Sequence, residues 1–294
     1  MATELGAAGG AFRVVGAMQT DVGRVRSSNE DSVAFVAPAP GAPEAKHGYL
    51  AIVADGMGGH AAGEVASALA TEVVRRVFYS LDVEPPRALK AAFEAANRAI
   101  FEQSAREPEC KGMGTTCTAI AIRDASLWLA HVGDSRAYLV RSGEVSQLSD
   151  DQTLHAQLVR DGVMTKEEAE RSPGGNVILQ AVGTRNEIAP TIWSEGLPLR
   201  VGDAIVLCSD GLSNLVGEAE LAAIVPDRAP QESCRLLVEA ALAAGGRDNI
   251  SVGVFRIVAP AQNGRADQAA TQKIAVVADD GRTGGPPTRV VAIR

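Results

Sequence analysis

The chain has 294 residues, 46% hydrophobic and 22% charged, which is the composition of an ordinary globular protein with material for a core. Its formal charge of −8 argues against nucleic acid or an anionic membrane surface as a partner, since both reward a basic face. Cys110, Cys117, Cys208 and Cys234 form no C-x-x-C pair, so free, buried thiols in a reducing compartment are expected rather than a disulfide framework.

The opening MATELGAAGGAFRVV has no charged segment followed by an apolar stretch, and no run approaches the ~20 residues of a membrane span. The expectation is a soluble, cytoplasmic monomer.

FRVVGAMQT (12–20), DSVAFVA (31–37) and YLAIVA (49–54) are short, apolar and separated by turn formers, as strands are. From Ala61 to Leu81, Val65, Leu69, Val73 and Val77 recur at helical spacing; Leu89, Phe93, Ala96 and Ile100 repeat the pattern after Pro85-Pro86. GTTCTAIAIRD (114–124), SLWLAHVGD (126–134) and SRAYLVRSGEVSQL (135–148) predict antiparallel strands, with a hairpin turn at 141–144.

Residues 152–175 are polar and partly helical, with Thr165 and Glu168 spaced as a capping box, and resemble a surface flap. TIWSEGL and DAIVLCSD predict two more strands, 212–216 a short helix, and PQESCRLLVEAALAA a longer one stopped by Gly245-Gly246. NISVGVFRIV closes the ordered part, and the aromatic-free stretch after Ala259 reads as a flexible tail. The domain is expected over 12–259 and the tail over 260–294, the domain being an α+β sandwich whose helices cover its sheets.

Gly56-Met57-Gly58-Gly59-His60-Ala61 fits the G-x-G-x-x-G/A dinucleotide fingerprint, with Asp82 near the distance of a ribose-binding acid. Against it, Asp55 stands directly before the loop, where its charge would oppose a pyrophosphate. The stronger pattern is repetition. AIVAD55G, LAHVGD134S and IVLCSD210G each bring an apolar strand to an Asp, and Asp248 stands just before the last strand.

One such Asp is more often a turn or cap than a ligand, but four together repel one another unless a cation neutralises them. Oxygen-only ligands suit hard ions such as Mg²⁺ or Mn²⁺. Arg26-Ser-Ser-Asn29-Glu30-Asp31 adds a guanidinium, whose planar fork matches phosphate; the plainer reading of Arg26 is a surface pair with Glu30. Acids and arginine together read as a phosphate-processing site.

TDVGRVRSSNED, VADGMGGHAAG, GMGTTCTA, HVGDSRAYL, LCSDGLSNL and GRDNISV, in that order, resemble the successive motifs of the bacterial type-2C, metal-dependent protein serine/threonine phosphatases. The resemblance runs from about residue 13 to residue 258. It implies a four-layer αββα sandwich of two antiparallel sheets flanked by helices, with a two-metal centre at one end of the sheets.

Carried over by position, Asp55 would bridge two Mn²⁺ or Mg²⁺ ions, Asp210 and Asp248 would complete the first, Gly56 would offer its carbonyl to the second, and Glu30 would act through water. Arg26 would hold the phosphoryl oxygens. His60 would be the general acid for the departing serine or threonine oxygen, its plainer reading being a cap or surface residue. A third ion would correspond to Asp134 with shared Asp210, and Asn176 would be a flap ligand. The implied reaction is hydrolysis without a phosphoenzyme, and the implied partners are phosphorylated proteins, a Ser/Thr kinase and its substrates among them. The competing reading, a non-catalytic phosphoprotein-binding version of the fold, would be expected to lack the metal acids.

Overall fold

The computed structural model describes residues 12–58, 62–172, 174 and 177–260. The expected tail lies outside them, apart from Pro260. β1 (Arg13–Asp21), β2 (Asp31–Val36) and β3 (Tyr49–Met57) lead into α1 (Ala62–Ser80) and α2 (Pro85–Arg106). Pro85 and Pro86 sit in the first turn of α2, where a missing N–H costs nothing.

The run expected as one strand over 114–124 is divided into β4 (Gly114–Thr115) and β5 (Cys117–Arg123). The cause is Thr116, whose amide donates to the Asp55 carbonyl at 2.8 Å while its hydroxyl accepts the Asp55 amide at 2.9 Å. β6 (Ser126–Val132) follows, and β7 (Arg136–Arg141) and β8 (Glu144–Gln147) form the predicted hairpin, with Ser142 and Gly143 left-handed at φ 54° and 83°. The polar segment contains α3 (Leu154–Arg160) and α4 (Lys166–Arg171), and the Thr165–Glu168 capping box is present.

TIWSEGL is not one strand. β9 (Thr191–Ile192) and β10 (Leu197–Pro198) both pair with β6, but the chain between Ile192 and Leu197 is two residues longer than the stretch of β6 it spans, so it bulges away. β11 (Ala204–Cys208) is followed by α5 (Asp210–Ser213), which begins earlier than the 212–216 expected because Leu212 and Ser213 bond back to the Ser209 carbonyl. α6 (Glu218–Ile224) is not anticipated by the pattern; Leu221 is its one fully buried residue. α7 (Pro230–Ala243) ends at the two glycines as predicted, and β12 (Ile250–Val258) completes the fold.

Among the described residues, one sheet runs β1-β12-β11-β7-β8, and the other runs β10-β6-β5-β3-β2, with β4 on β3 and β9 on β6. Strand alternation sorts the core into three layers. Leu50, Ile52 and Ala54 of β3 face α1 and α2; Val206 and Cys208 of β11 face α5, α6 and α7; and Ala51, Val53, Ile205, Leu207 and Phe255 meet between the sheets. This is the expected αββα sandwich.

β3 is flanked by β2 and β5, both antiparallel to it, so the βαβ unit that a dinucleotide fingerprint requires is absent around Gly56. Asp82 is exposed and pairs with Lys46 at 2.9 Å. The four cysteines are free and buried, as expected. Among the described residues, no helix is long and apolar enough to cross a membrane.

Candidate metal centre

Along the inner face of β3 the residues Ala51 and Val53 are apolar, and the next to face the same way is Asp55. The strand runs on to Met57, so Asp55 lies within it rather than at its end. Asp31 stands opposite Asp55 in the β2–β3 register, which places two carboxylates on one face at neighbouring-strand distance. The space between the sheets thus turns from apolar to polar toward this end. Ser209 donates to Asp31 Oδ2 at 2.8 Å, Ser251 to Thr20 at 2.8 Å, and Thr116 and Ser135 share a hydrogen bond of 2.8 Å.

Asp134 sits where the chain crosses from β6 in one sheet to β7 in the other, and Asp210 opens α5 directly after β11. Asp248 lies in the turn before β12. Glu30 precedes β2; its amide donates to Asn249 Oδ1 at 2.8 Å and its carbonyl accepts from Gly56 N and the Ser67 hydroxyl. Arg26, half exposed, donates to Asp248 Oδ2 at 2.8 Å, so its partner is Asp248 rather than the Glu30 of the plainer reading.

These residues converge. Arg26, Glu30, Asp55, Gly56, Asp134, Asp210 and Asp248 line one open cavity of about 240 Å³, joined by Ile178 from the segment after α4. Gly56 admits the first turn of α1: a Cβ there would overlap the Gly63 carbonyl and stand 2.6 Å from the Glu30 carbonyl. His60 and Asn176 lie outside the described residues.

The acids are held against their charge. Burial pushes the Asp55 carboxyl well above the usual range, helped by Asp31, Asp210, Asp134 and Asp248. Burial and Asp210 push Asp134 up to about 7, and burial does the same to Asp31, against the hydrogen bond of Ser209. Burial and then Asp248 raise Asp210, and burial raises Glu30.

Sequence reasoning gives no role to Asp31, Thr116, Ser209 or Asn249. Asn249 is the organiser of the Arg26–Glu30 loop, donating to the carbonyls of Val22 and Ser28 at 2.9 Å each while accepting from Glu30. Asp31 could have been found from its alternation with Val33 and Phe35, which face the same interior. Nothing in the sequence marks Asn249 beyond its place beside Asp248.

A metal can be tested against these residues. Among the described residues, no three acidic, imidazole or thiol groups already close a cage, because Asp248 is turned to Arg26 and Asp210 to Asn214 at 3.2 Å. The donor set is nonetheless all oxygen, Asp31 Oδ1 is closed from solvent with no hydrogen-bond partner, and the raised acids lack a countercharge equal to theirs. Hard divalent cations fit such a set.

The protein phosphatase 2C family model matches residues 24–233. The chain belongs to the protein phosphatase 2C family. It is 42% identical over 246 residues to the serine/threonine protein phosphatase PstP of Mycobacterium tuberculosis, covering 82% of this chain and 45% of PstP, so it spans about half that relative's length. It is 34% identical over 240 residues to the serine/threonine phosphatase Stp of Listeria monocytogenes, covering 80% of this chain and 92% of that protein. The crystal structure of the catalytic domain of PstP in complex with two manganese ions is similar at a TM-score of 0.72 and 39% identity, covering 84% of this chain and 99% of that one. Membership of the 2C family accounts for the fold and for the six motifs in order.

Proposed function

We propose that this chain is a metal-dependent protein serine/threonine phosphatase that removes phosphate from phosphoserine and phosphothreonine by direct attack of water. The observation that carries this reading is the single cavity lined by Glu30, Asp55, Asp134, Asp210, Asp248 and Arg26. Asp55, Asp210 and Asp248 would hold the central cations with the Gly56 carbonyl, Glu30 would act through water, and Asp134 with Asp210 would take a third ion. Two bound divalent cations supply a water whose pKa falls toward about 7 and neutralise charge on the phosphoryl group. Manganese is supported by the two ions in the PstP complex.

Arg26 binds and orients. Its guanidinium exchanges Asp248 for two phosphoryl oxygens, a swap that its half-exposed position permits. Strand β3 fixes where the Asp55 carboxylate stands in the cavity, and the β6–β7 crossing does the same for Asp134. His60 is retained as the proton donor to the leaving oxygen, on the motif alone. The non-catalytic version of the fold is disfavoured because all three metal acids face one cavity.

The substrates on this reading are phosphorylated proteins, a Ser/Thr kinase and its targets among them, acted on in the cytoplasm by a monomer whose catalytic unit is 12–259. Single-turnover hydrolysis of a phosphothreonine peptide in heavy-oxygen water tests it. One labelled oxygen in the released phosphate and no phosphorylated protein are expected; a stable phosphoprotein would contradict direct attack by water.

A further inference from the structure

Asn97 on α2 is buried, and its amide is fully used. Nδ2 donates to the carbonyls of Arg185 and Asn186, at 3.0 Å each, and Oδ1 accepts the Gly183 amide at 2.7 Å. Gly183 is left-handed, φ 90°, and a Cβ there would overlap Ile100 Cγ2, one turn further along α2, so only glycine closes this contact.

The anchored loop begins directly after Val182. Val182 and Thr115 exchange both backbone hydrogen bonds, at 3.0 and 2.8 Å. Thr115 stands opposite Gly56 in the register of β3, and its hydroxyl donates to the Asp55 carbonyl at 2.9 Å. Four residues before Val182, Ile178 lines the cavity. A continuous set of bonds therefore leads from α2 to the cavity wall, and Asn97 supplies its first three.

We propose that Asn97 is a positioning residue: it fixes the Val182–Thr115 pair and through it the Asp55–Gly56 peptide. Apolar packing of Ile100 on the loop holds it near α2 without setting its register, because such contacts have no direction. Three directed hydrogen bonds do set it. A slip of one residue would present Thr115 with a partner facing the other way. A buried asparagine with no role beyond satisfying nearby carbonyls would stabilise the fold and leave the cavity unaffected.

The inference rests on the metal-dependent reading for one of its two measurements. Calorimetric titration of the full chain with manganese should show about tenfold weaker binding in Asn97→Ala, the lower end of what outer-shell partners of a metal site contribute. Phe78→Leu, a core change at the end of α1 beside His47 and Tyr79, should lower the melting temperature and leave manganese affinity unchanged. Amide exchange in the metal-free protein should accelerate at Thr115 and Val182 in Asn97→Ala and not in Phe78→Leu. Should Asn97→Ala fail to fold, Asn97→Ser, whose shorter side chain cannot make the three hydrogen bonds, is measured in the same way. Unchanged manganese affinity with both amides still protected would overturn the proposal, and so would equal losses in the two variants. If the wild-type chain takes up no manganese, the metal reading fails, and the exchange rates still decide whether Asn97 holds the pair.

Discussion

Asp55 and Asp31 face each other across β2 and β3; burial raises the pKa of both, and the nearby charges of Asp210 and Asp248 add to it. Asn at position 55 removes a charge without changing shape, so Asp55→Asn should keep the fold and, on the proposed function, lose nearly all turnover, because an amide would neutralise neither cation. Circular dichroism and peptide hydrolysis check the two halves; turnover near wild type would remove Asp55 from the site. Asp134 gives a pH prediction. Its carboxyl binds a proton more tightly when folded, so as pH rises from the ordinary 3.8 to about 7 the metal-free protein loses stability, and the loss stays above that range. Asp134→Asn lacks this group. The stability of Asp134→Asn relative to wild type, measured in chelator by denaturant melts, should be smallest near pH 4, grow through neutrality and level off; a pH-independent difference would contradict the assignment.

The elements determine what such residues can do, and they explain what was legible. Asp55, Asp134 and Asp210 were found because each follows an apolar run and Asp248 because it precedes one, which are short-range signals. That Asp55 lies inside β3 was not legible, since the strand is prolonged by pairing with β4, a contact made far along the sequence by Gly114 and Thr115. The β9–β10 bulge escaped for the same reason, since β6 sets it, whereas α6 buries too little to leave a periodic stripe. Gly56 tests the approach of β3 to α1 directly. A methyl at this position meets backbone atoms of Gly63 and Glu30, which cannot rotate away. Gly56→Ala should cost at least about 1–3 kcal/mol, and a thermal melt should fall by about 2–4 °C for each of these. A melt equal to wild type would show that the helix start can give.

At the scale of the whole molecule, two sheets pack through an apolar layer that becomes polar only where the acids gather. Phe255 lies at the centre of that layer, fully buried, its ring 4.8 Å from that of Phe35. Phe255→Ala should destabilise by about 3–5 kcal/mol through lost contacts and the cavity left behind, read from denaturant midpoints. The sandwich was legible as alternating strands and paired helices. Its strand order was not, because β6 and β7 are adjacent in sequence yet belong to opposite sheets, and periodicity says nothing about which sheet a strand joins. The most direct measurement is phosphate release from a phosphothreonine peptide by the full chain as manganese is added to chelator-treated protein, with Asp55→Asn alongside. Wild-type turnover should rise from background to saturation and return to background on renewed chelation, while Asp55→Asn stays near background throughout. Full turnover in the chelated wild-type protein, or none at saturating manganese, would contradict a metal-dependent phosphatase.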